Sequence, residues 1–248
     1  MFYWDEENIR WMEEAAAYTG HYQKLSNIIL PYLKRDDTVC EIGCGLGHLA
    51  CVLAPKVAHV TAVDISDLAV SKLKERVAAN NITNLTPVFA DWSTWMPQEH
   101  TKNGKFDVVL LSYFSAIKRN WPQMLKLADR SVIAVLANGE SGNKMACKQY
   151  NPIYEDKEGR ETVLNVIPFL RNEKIPYELI KCDTDYGQPV RSLEDAYNYV
   201  ARYYLGDEKV IKEYLQENLV PLENGYYLPK LKKSGIIIID INKFHSAK

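Results

Sequence analysis

The sequence predicts an α/β fold. It is read as a three-layer sandwich on a mostly parallel seven-stranded sheet with a reversed last strand, N-terminal helices, and a helical insertion before that last strand. Three observations predict it. From residue 38 onward, short β-branched runs alternate with amphipathic helical stretches. The first of these runs leads straight into a glycine-rich turn and then a helix. A chain of 248 residues, 47% apolar and 25% charged, is long enough to bury one large core. We read a single domain over 1–248, made of a helical cap (1–36), a core (37–191), a helical insertion (192–219) and a C-terminal hairpin (220–248).

Each element has a local reason. In residues 2–34, Trp4, Ile9, Trp11 and Met12, then Leu25, Ile28, Ile29, Tyr32 and Leu33, recur at helical spacing, so two helices are expected with a break near Thr19-Gly20. Strands follow at Thr38 to Ile42, His59 to Val63, Leu85 to Ala90 and Phe106 to Ser112, with helices at Leu46 to Ala54 and Asp67 to Asn80 between them. Ser66 can cap the second of these helices, while Leu68, Leu73 and Val77 form its apolar stripe. The alternation continues with a helix at Trp121 to Asp129, a strand at Ser131 to Ala137, a helix at Thr162 to Asn172 and a strand at Tyr177 to Lys181. Pro168 should kink that last helix or mark its true first turn. Ser192-x-x-Asp195 reads as a capping box for a helix running to Leu205 and ended by Gly206, and Asp207 opens another to about Asn218. Tyr226 to Leu231 and Gly235 to Ile241 read as a closing hairpin. Four consecutive isoleucines make its second strand one buried on both faces.

Composition excludes several classes. A net charge of −2 provides no global field toward nucleic acid or an anionic membrane, and the runs Lys118-Arg119 and Lys230 to Lys233 read as solvated faces. Met1 to Arg10 carries acids among aromatics and is not a secretory signal, and no stretch reaches the roughly 20 apolar residues of a membrane span. The five cysteines, Cys40, Cys44, Cys51, Cys147 and Cys182, show no paired Cys-x-x-Cys spacing, so neither a disulfide frame nor a metal site is indicated. An iron–sulfur triad starting from Cys40 and Cys44 would need a third cysteine where Gly47 stands. A reduced, cytoplasmic protein is expected.

The most informative segment is Val39-Cys40-Glu41-Ile42-Gly43-Cys44-Gly45-Leu46-Gly47. Residues without side chains let the backbone turn sharply and approach a ligand closely, and the free amides of the following helix favour an electron-rich group. A dinucleotide fingerprint would need glycine at position 48, where His48 stands, which argues against a nicotinamide oxidoreductase. The Gly-x-Gly-x-Gly form preceded by Glu41 instead resembles the first motif of the class I, Rossmann-like S-adenosylmethionine-dependent methyltransferases. The resemblance extends to Asp64 at the end of the second strand, to Asp91-Trp92 after the third, and to Phe106 through Ser112 as a fourth motif. It covers residues 38 to about 137, and the family's reversed last strand agrees with the strand read near the C-terminus.

The resemblance implies S-adenosyl-L-methionine as cofactor, held by Glu41, Gly43, Cys44, Gly45, Gly47, Asp64, Ile65, Asp91, Trp92 and Ser112. Asp64 would accept hydrogen bonds from the ribose hydroxyls, Asp91 would accept one from the adenine amino group, and Trp92 could cover the ring. Simpler roles stay open: Asp64 could cap the next helix, Asp91 could start a loop, and Asp107 could pair with a lysine. No catalytic residue is assigned, because positioning and exclusion of water can supply much of the rate of methyl transfer.

Family members that methylate exocyclic base amines usually carry Asn/Asp-Pro-Pro-aromatic in the fourth motif. This chain has Ser112-Tyr113-Phe114-Ser115, and it contains no Pro-Cys pair of the kind base C5 methylation needs. These departures lower the nucleic-acid reading without removing it. The helices before the first strand and after the sixth stand where small-molecule methyltransferases that the chain resembles usually build their lids, so a small organic acceptor is the expected one. Tyr113 or Phe114 could face the sulfonium or the acceptor, and Tyr18, His21, Glu140, Tyr197, Tyr199, Tyr203 and Tyr204 could complete a pocket. The tyrosine-rich insertion could equally be a homodimer surface. Two other readings remain: an RNA or protein methyltransferase, and a non-catalytic module that keeps the cofactor pocket.

Overall fold

The structure, a computed structural model, describes residues 4–97, 99–139, 160–203 and 207–246. Expectations for Glu140, Cys147, Tyr204, Leu205 and Gly206 lie outside the described residues. In chain order the helices and strands are α1 (Glu6–Thr19), α2 (His21–Ile29), β1 (Thr38–Ile42), α3 (His48–Leu53), β2 (His59–Asp64), α4 (Asp67–Ala79), β3 (Leu85–Phe89), β4 (Phe106–Ser112), α5 (Ile117–Leu127), β5 (Ala128–Ala137), α6 (Val163–Asn172), β6 (Tyr177–Asp185), β7 (Gln188–Val190), α7 (Leu193–Tyr203), α8 (Glu208–Asn218), β8 (Val220–Leu222), β9 (Gly225–Leu228), β10 (Leu231–Asp240) and α9 (Ile241–Ser246). They fall into two compact units: one of 22–139, 161–182 and 234 onward, the other of the residues up to His21 together with Arg160 and 183–233.

The larger unit is organised by a seven-stranded sheet in the order β3-β2-β1-β4-β5-β10-β6. β1 pairs in parallel with β2 and β4, β2 with β3, and β4 with β5, while β10 runs antiparallel to β5. Successive side chains on a strand point to opposite faces, and here both faces are covered. Cys40, Val109, Leu111, Val132, Ile237 and Ile239 enter one apolar cluster, whereas Val39, Val108, Leu110, Ile133, Ile236 and Ile238 enter the other. The four consecutive isoleucines therefore divide two and two between the layers, which explains why a run with no polar alternation forms a strand.

Helix starts follow capping chemistry. Ser66 Oγ accepts from the Ala69 amide at 3.2 Å to open α4, and Thr162 forms a capping box with Asn165 at the start of α6. α5 starts at Ile117, four residues before the expected Trp121, because an acid distant in sequence satisfies its first amides, as described below. Pro168 lies inside α6 and neither ends nor opens it.

The smaller unit joins α1, α7 and α8 to a three-stranded sheet in the order β7-β9-β8. Gly20 in the left-handed region (φ 59°) ends α1 where the break was expected. Asp195 ties the unit together by accepting from Arg10 at 2.5 Å, from the Trp11 indole at 3.0 Å and from the Arg191 amide at 2.9 Å. Ser192 caps α7 by accepting from the Asp195 amide at 3.1 Å, so only half of the expected capping box forms, the acid being drawn to Arg10. Tyr199 packs edge-on against Trp11 at 5.3 Å, and the Tyr203 hydroxyl donates to Asn8 at 2.5 Å, so both rings are used inside this unit.

The closing hairpin is corrected. Tyr226 and Tyr227 pair with β7 and β8, while β10 lies between β5 and β6. The chain runs on through Pro229 without reversing. The reversal sits at Glu223-Asn224-Gly225, with Gly225 at φ 100°, and Asn-Gly there is the hairpin signal of the segment. The Lys230 to Lys233 run is also not a freely solvated face, since Lys230, Lys232 and Lys233 are each half-buried. Among the described residues no helix is long and apolar enough to cross a membrane.

Candidate functional site

Because β1, β2, β3 and β4 are parallel neighbours, their C-terminal ends share one edge of the sheet, and the strand order reverses direction between β1 and β4. That is the place where open α/β sheets bind ligands. The structure brings every expected cofactor-binding residue to this edge. Glu41 is on β1; Gly43, Cys44, Gly45 and Gly47 form the loop after it; Asp64 ends β2 and Ile65 follows it; Asp91 and Trp92 follow β3; Ser112 ends β4.

The loop alternates left-handed glycines, with φ of 67° at Gly43, 53° at Gly45 and 67° at Gly47. A side chain is strained at each, and space forbids it at two. A Cβ on Gly43 would lie 2.3 Å from the Phe114 ring, and one on Gly47 would lie 2.3 Å from the Leu73 side chain. The Gly43 and Cys44 amides both donate to the Val63 carbonyl, at 2.8 and 3.1 Å, and tie the loop to β2. Asp64 does the same from its side chain, one carboxylate oxygen accepting from the Gly45 amide at 2.7 Å and the other from the Ser66 amide at 2.9 Å. Asp64 does not cap α4 in the usual way, a task that falls to Ser66.

Glu41 is the electrostatic centre of the loop. It is 1% exposed, its carboxyl accepts from the Ala50 amide, and its Oε2 has no hydrogen-bond partner among the described residues. Burial pushes its carboxyl up to about 8, and Asp64 adds to this, the Ala50 amide opposing. Burial and the same two acids hold the Cys44 thiol well above its usual range, which keeps it protonated. His48 stacks on Tyr22 at 4.9 Å, and burial with the charge of Arg76 pushes it down to about 3, keeping it neutral.

Asp91 is exposed and turns onto its own loop, accepting from the Ser93 hydroxyl at 2.7 Å and the Ser93 amide at 3.0 Å; these bonds hold it below the usual carboxylate range. Trp92 meets Phe114 edge to face at 6.1 Å. Asp107 is placed as the simpler reading had it, bonded to Lys102 at 3.0 Å and to Thr38 at 2.8 Å at the opposite end of β4.

Two residues have structural roles that the sequence does not reveal, Tyr113 being expected there only as a ring facing the sulfonium or the acceptor and Glu161 not at all. Tyr113 follows β4 in the left-handed region (φ 56°), a costly conformation for an aromatic residue, held by its amide on the Val135 carbonyl and its hydroxyl 2.8 Å from Ser234 Oγ. Its strain turns the chain so that Phe114 lies on Gly43. Glu161 is buried and accepts from the Ile117 and Lys118 amides at 2.7 and 2.6 Å, while its own amide donates to Ser115 at 2.9 Å. It pins the loop after β4 and opens α5. A buried acid 44 residues downstream leaves no local trace in sequence.

Residues 33–148 match a family model described as a methyltransferase domain. A ribosomal protein L11 methyltransferase of Phocaeicola vulgatus is 38% identical over 82 residues, 32% of this chain and 29% of that protein. A 23S rRNA (uracil(1939)-C(5))-methyltransferase of Klebsiella pneumoniae is 31% identical over 107 residues, 43% of this chain and 25% of that protein. The chain thus spans under a third of the curated relatives it matches. Among solved structures, a SAM-dependent methyltransferase from Aquifex aeolicus is 12% identical with a TM-score of 0.52, covering 96% of this chain and 99% of that one, and shares the fold.

Proposed function

We propose, from the premise that the chain belongs through residues 33–148 to the class I methyltransferase family, that it transfers a methyl group from S-adenosylmethionine to a small organic acceptor. The observation that carries this reading is the glycine loop with Glu41 beneath it and Asp64 beside it. Three left-handed glycines clear space at the end of β1, and a buried carboxylate oxygen without a partner suits a cationic group. In this reading Glu41 faces the cofactor's ammonium, Asp64 has lone pairs left for the ribose hydroxyls, and Asp91 and Trp92 take the adenine. When bound, the cofactor supplies a sulfonium-borne methyl group open to in-line displacement. The chain's own contribution is orientation and exclusion of water by apolar walls such as Phe114 and Trp92.

A small acceptor is supported by the fourth motif, Ser112-Tyr113-Phe114-Ser115, by the missing Pro-Cys pair and by the net charge of −2. A macromolecular acceptor is the second reading, favoured by relatives whose names specify ribosomal protein L11 and 23S rRNA. Calorimetric titration with S-adenosylmethionine, S-adenosylhomocysteine and NAD in parallel tests the cofactor: micromolar binding of the first two and none of NAD is expected. Binding of NAD alone, or of nothing, overturns the reading. Label from methyl-tritiated cofactor incubated with cell extract should then enter the small-molecule fraction, and label confined to protein or RNA would establish the second reading.

A further inference from the structure

Phe114 is held from both sides. Upstream, Tyr113 is fixed by its amide on the Val135 carbonyl at 2.8 Å and by its hydroxyl 2.8 Å from Ser234 Oγ. Downstream, Ser115 Oγ accepts from the Glu161 amide at 2.9 Å, and the two carboxyl oxygens of Glu161 accept from the Ile117 and Lys118 amides at 2.7 and 2.6 Å. One buried residue thus grips the chain at 115, 117 and 118, directly after the ring. α5 depends on that grip. Ala116, at its N-cap, offers no side-chain acceptor, Asn120 departs from helical geometry (φ −127°, ψ 27°), and Pro122 has no amide to give to the Lys118 carbonyl. The first turn therefore gets little support from the rest of the helix, and the bonds to Glu161 decide where it lies.

What the grip delivers is the place of the Phe114 ring. A Cβ on Gly43 would meet three atoms of that ring at 2.3 to 2.9 Å, so the ring rests directly against the bare backbone of the glycine loop. Its other neighbour is the Trp92 ring, edge to face at 6.1 Å. Phe114 follows β4 and Trp92 follows β3, and β1 and β2 lie between those strands in the sheet, so the pair reaches across the ends of both. A shift of the ring would open the glycine loop to water and take an apolar wall away from whatever lies on Gly43. Bonds from a buried carboxyl to backbone amides are short and directional, which suits them to hold such a wall in one place.

We propose that Glu161 is a positioning residue for the cofactor: it sets the Phe114 ring against Gly43 and Trp92, and through that ring it sets the affinity for S-adenosylmethionine. This role rests on the cofactor reading above, and its test separates the two. Glutamine at 161 keeps one acceptor oxygen but turns N–H donors toward the other amide, so Glu161→Gln loosens the grip with little loss of volume. Calorimetric titration with S-adenosylhomocysteine should show binding weakened roughly fivefold or more in Glu161→Gln and about tenfold in Phe114→Ala, with the double variant less than about twofold weaker than Phe114→Ala alone. In protein labelled with 4-fluorophenylalanine and free of cofactor, the ¹⁹F resonance absent from Phe114→Ala should move in Glu161→Gln while those of Phe89 and Phe106 stay. Ser115→Ala, which removes only the acceptor of the Glu161 amide, should move the same resonance, and it decides the matter if Glu161→Gln fails to fold. Wild type that does not bind S-adenosylhomocysteine overturns the cofactor reading and the role of Glu161 with it. Binding by wild type with unchanged affinity in Glu161→Gln, with equal losses in the two backgrounds, or with an unmoved Phe114 resonance overturns the role of Glu161 alone.

Discussion

Replacing Glu41 by glutamine should make the protein more stable at alkaline pH while weakening its hold on cofactor. The Glu41 carboxyl is raised from an ordinary value of 4.5 to about 8, chiefly by burial. Between those values the native state keeps a proton that the unfolded chain has released, so the unfolded state binds fewer protons and stability falls as pH rises. The slope is about 1.4 kcal/mol per pH unit, which over the whole window sets an upper bound of roughly 5 kcal/mol. His48, lowered to about 3, acts in the other direction: its contribution is complete above about 6.5 and is lost as pH falls toward 3. The two slopes oppose each other between about 4.5 and 6.5, and Glu41 alone acts from there to about 8. Glu41→Gln removes its own term and leaves that of His48. The difference in stability between variant and wild type should then grow with pH, reaching a few kcal/mol by about pH 8.5, or roughly 5 to 10 °C in Tm for a chain of this size. Thermal unfolding of both proteins at half-unit steps from pH 5 to 9 reads this directly. Parallel Tm curves would refute a protonated, buried Glu41. In wild type near neutral pH, cofactor binding should release about one proton, visible as a dependence of calorimetric enthalpy on the buffer's ionisation heat; the variant should release none.

Three further outcomes are expected. Asp64→Ala should weaken S-adenosylmethionine binding at least tenfold, because the loop loses its tie at the Gly45 amide as well as the lone pairs proposed for the ribose; unchanged affinity by calorimetry in folded protein would remove Asp64 from the site. Gly45→Val, a β-branched residue at φ 53°, should weaken binding as strongly, and wild-type affinity would mean that the loop conformation is irrelevant to the ligand. Glu161→Ala leaves two amides at the start of α5 unpaired and should cost about 1–3 kcal/mol in urea unfolding, with amide exchange at Ile117 and Lys118 accelerating most; uniform acceleration across the sheet would contradict a local role.

The parts of the fold set by neighbours in sequence were legible, and those set by distant partners were not. β1 and β4 begin and end where their apolar runs do, and Ser66 caps α4 because a hydroxyl next to a helix start has few other options. The start of α5 is not legible locally, because its acceptor, Glu161, arrives 44 residues later. The expected closing hairpin does not form, because hydrophobicity locates two extended segments but not their partners, while the deciding feature is the turn at Glu223-Asn224-Gly225 upstream. In the site, glycine spacing and acids at strand ends located the edge where a ligand would sit. The burial of Glu41, the engagement of both Asp64 oxygens and the strained Tyr113 depend on how strands and loops meet in space, which no spacing encodes.

The order in which the smaller unit assembles follows from where its segments lie along the chain. The bond between Arg10 and Asp195 closes a loop of 185 residues, and the intervening chain builds most of the sheet. Closing such a loop while it is disordered is entropically costly, and collapse of the intervening strands shortens the effective distance to be spanned. α1 should therefore acquire its partners late. In pulsed hydrogen exchange during refolding, the α1 amides are expected to gain protection after those of β1 and β4; earlier protection would show that α1 and α7 find each other before the sheet exists.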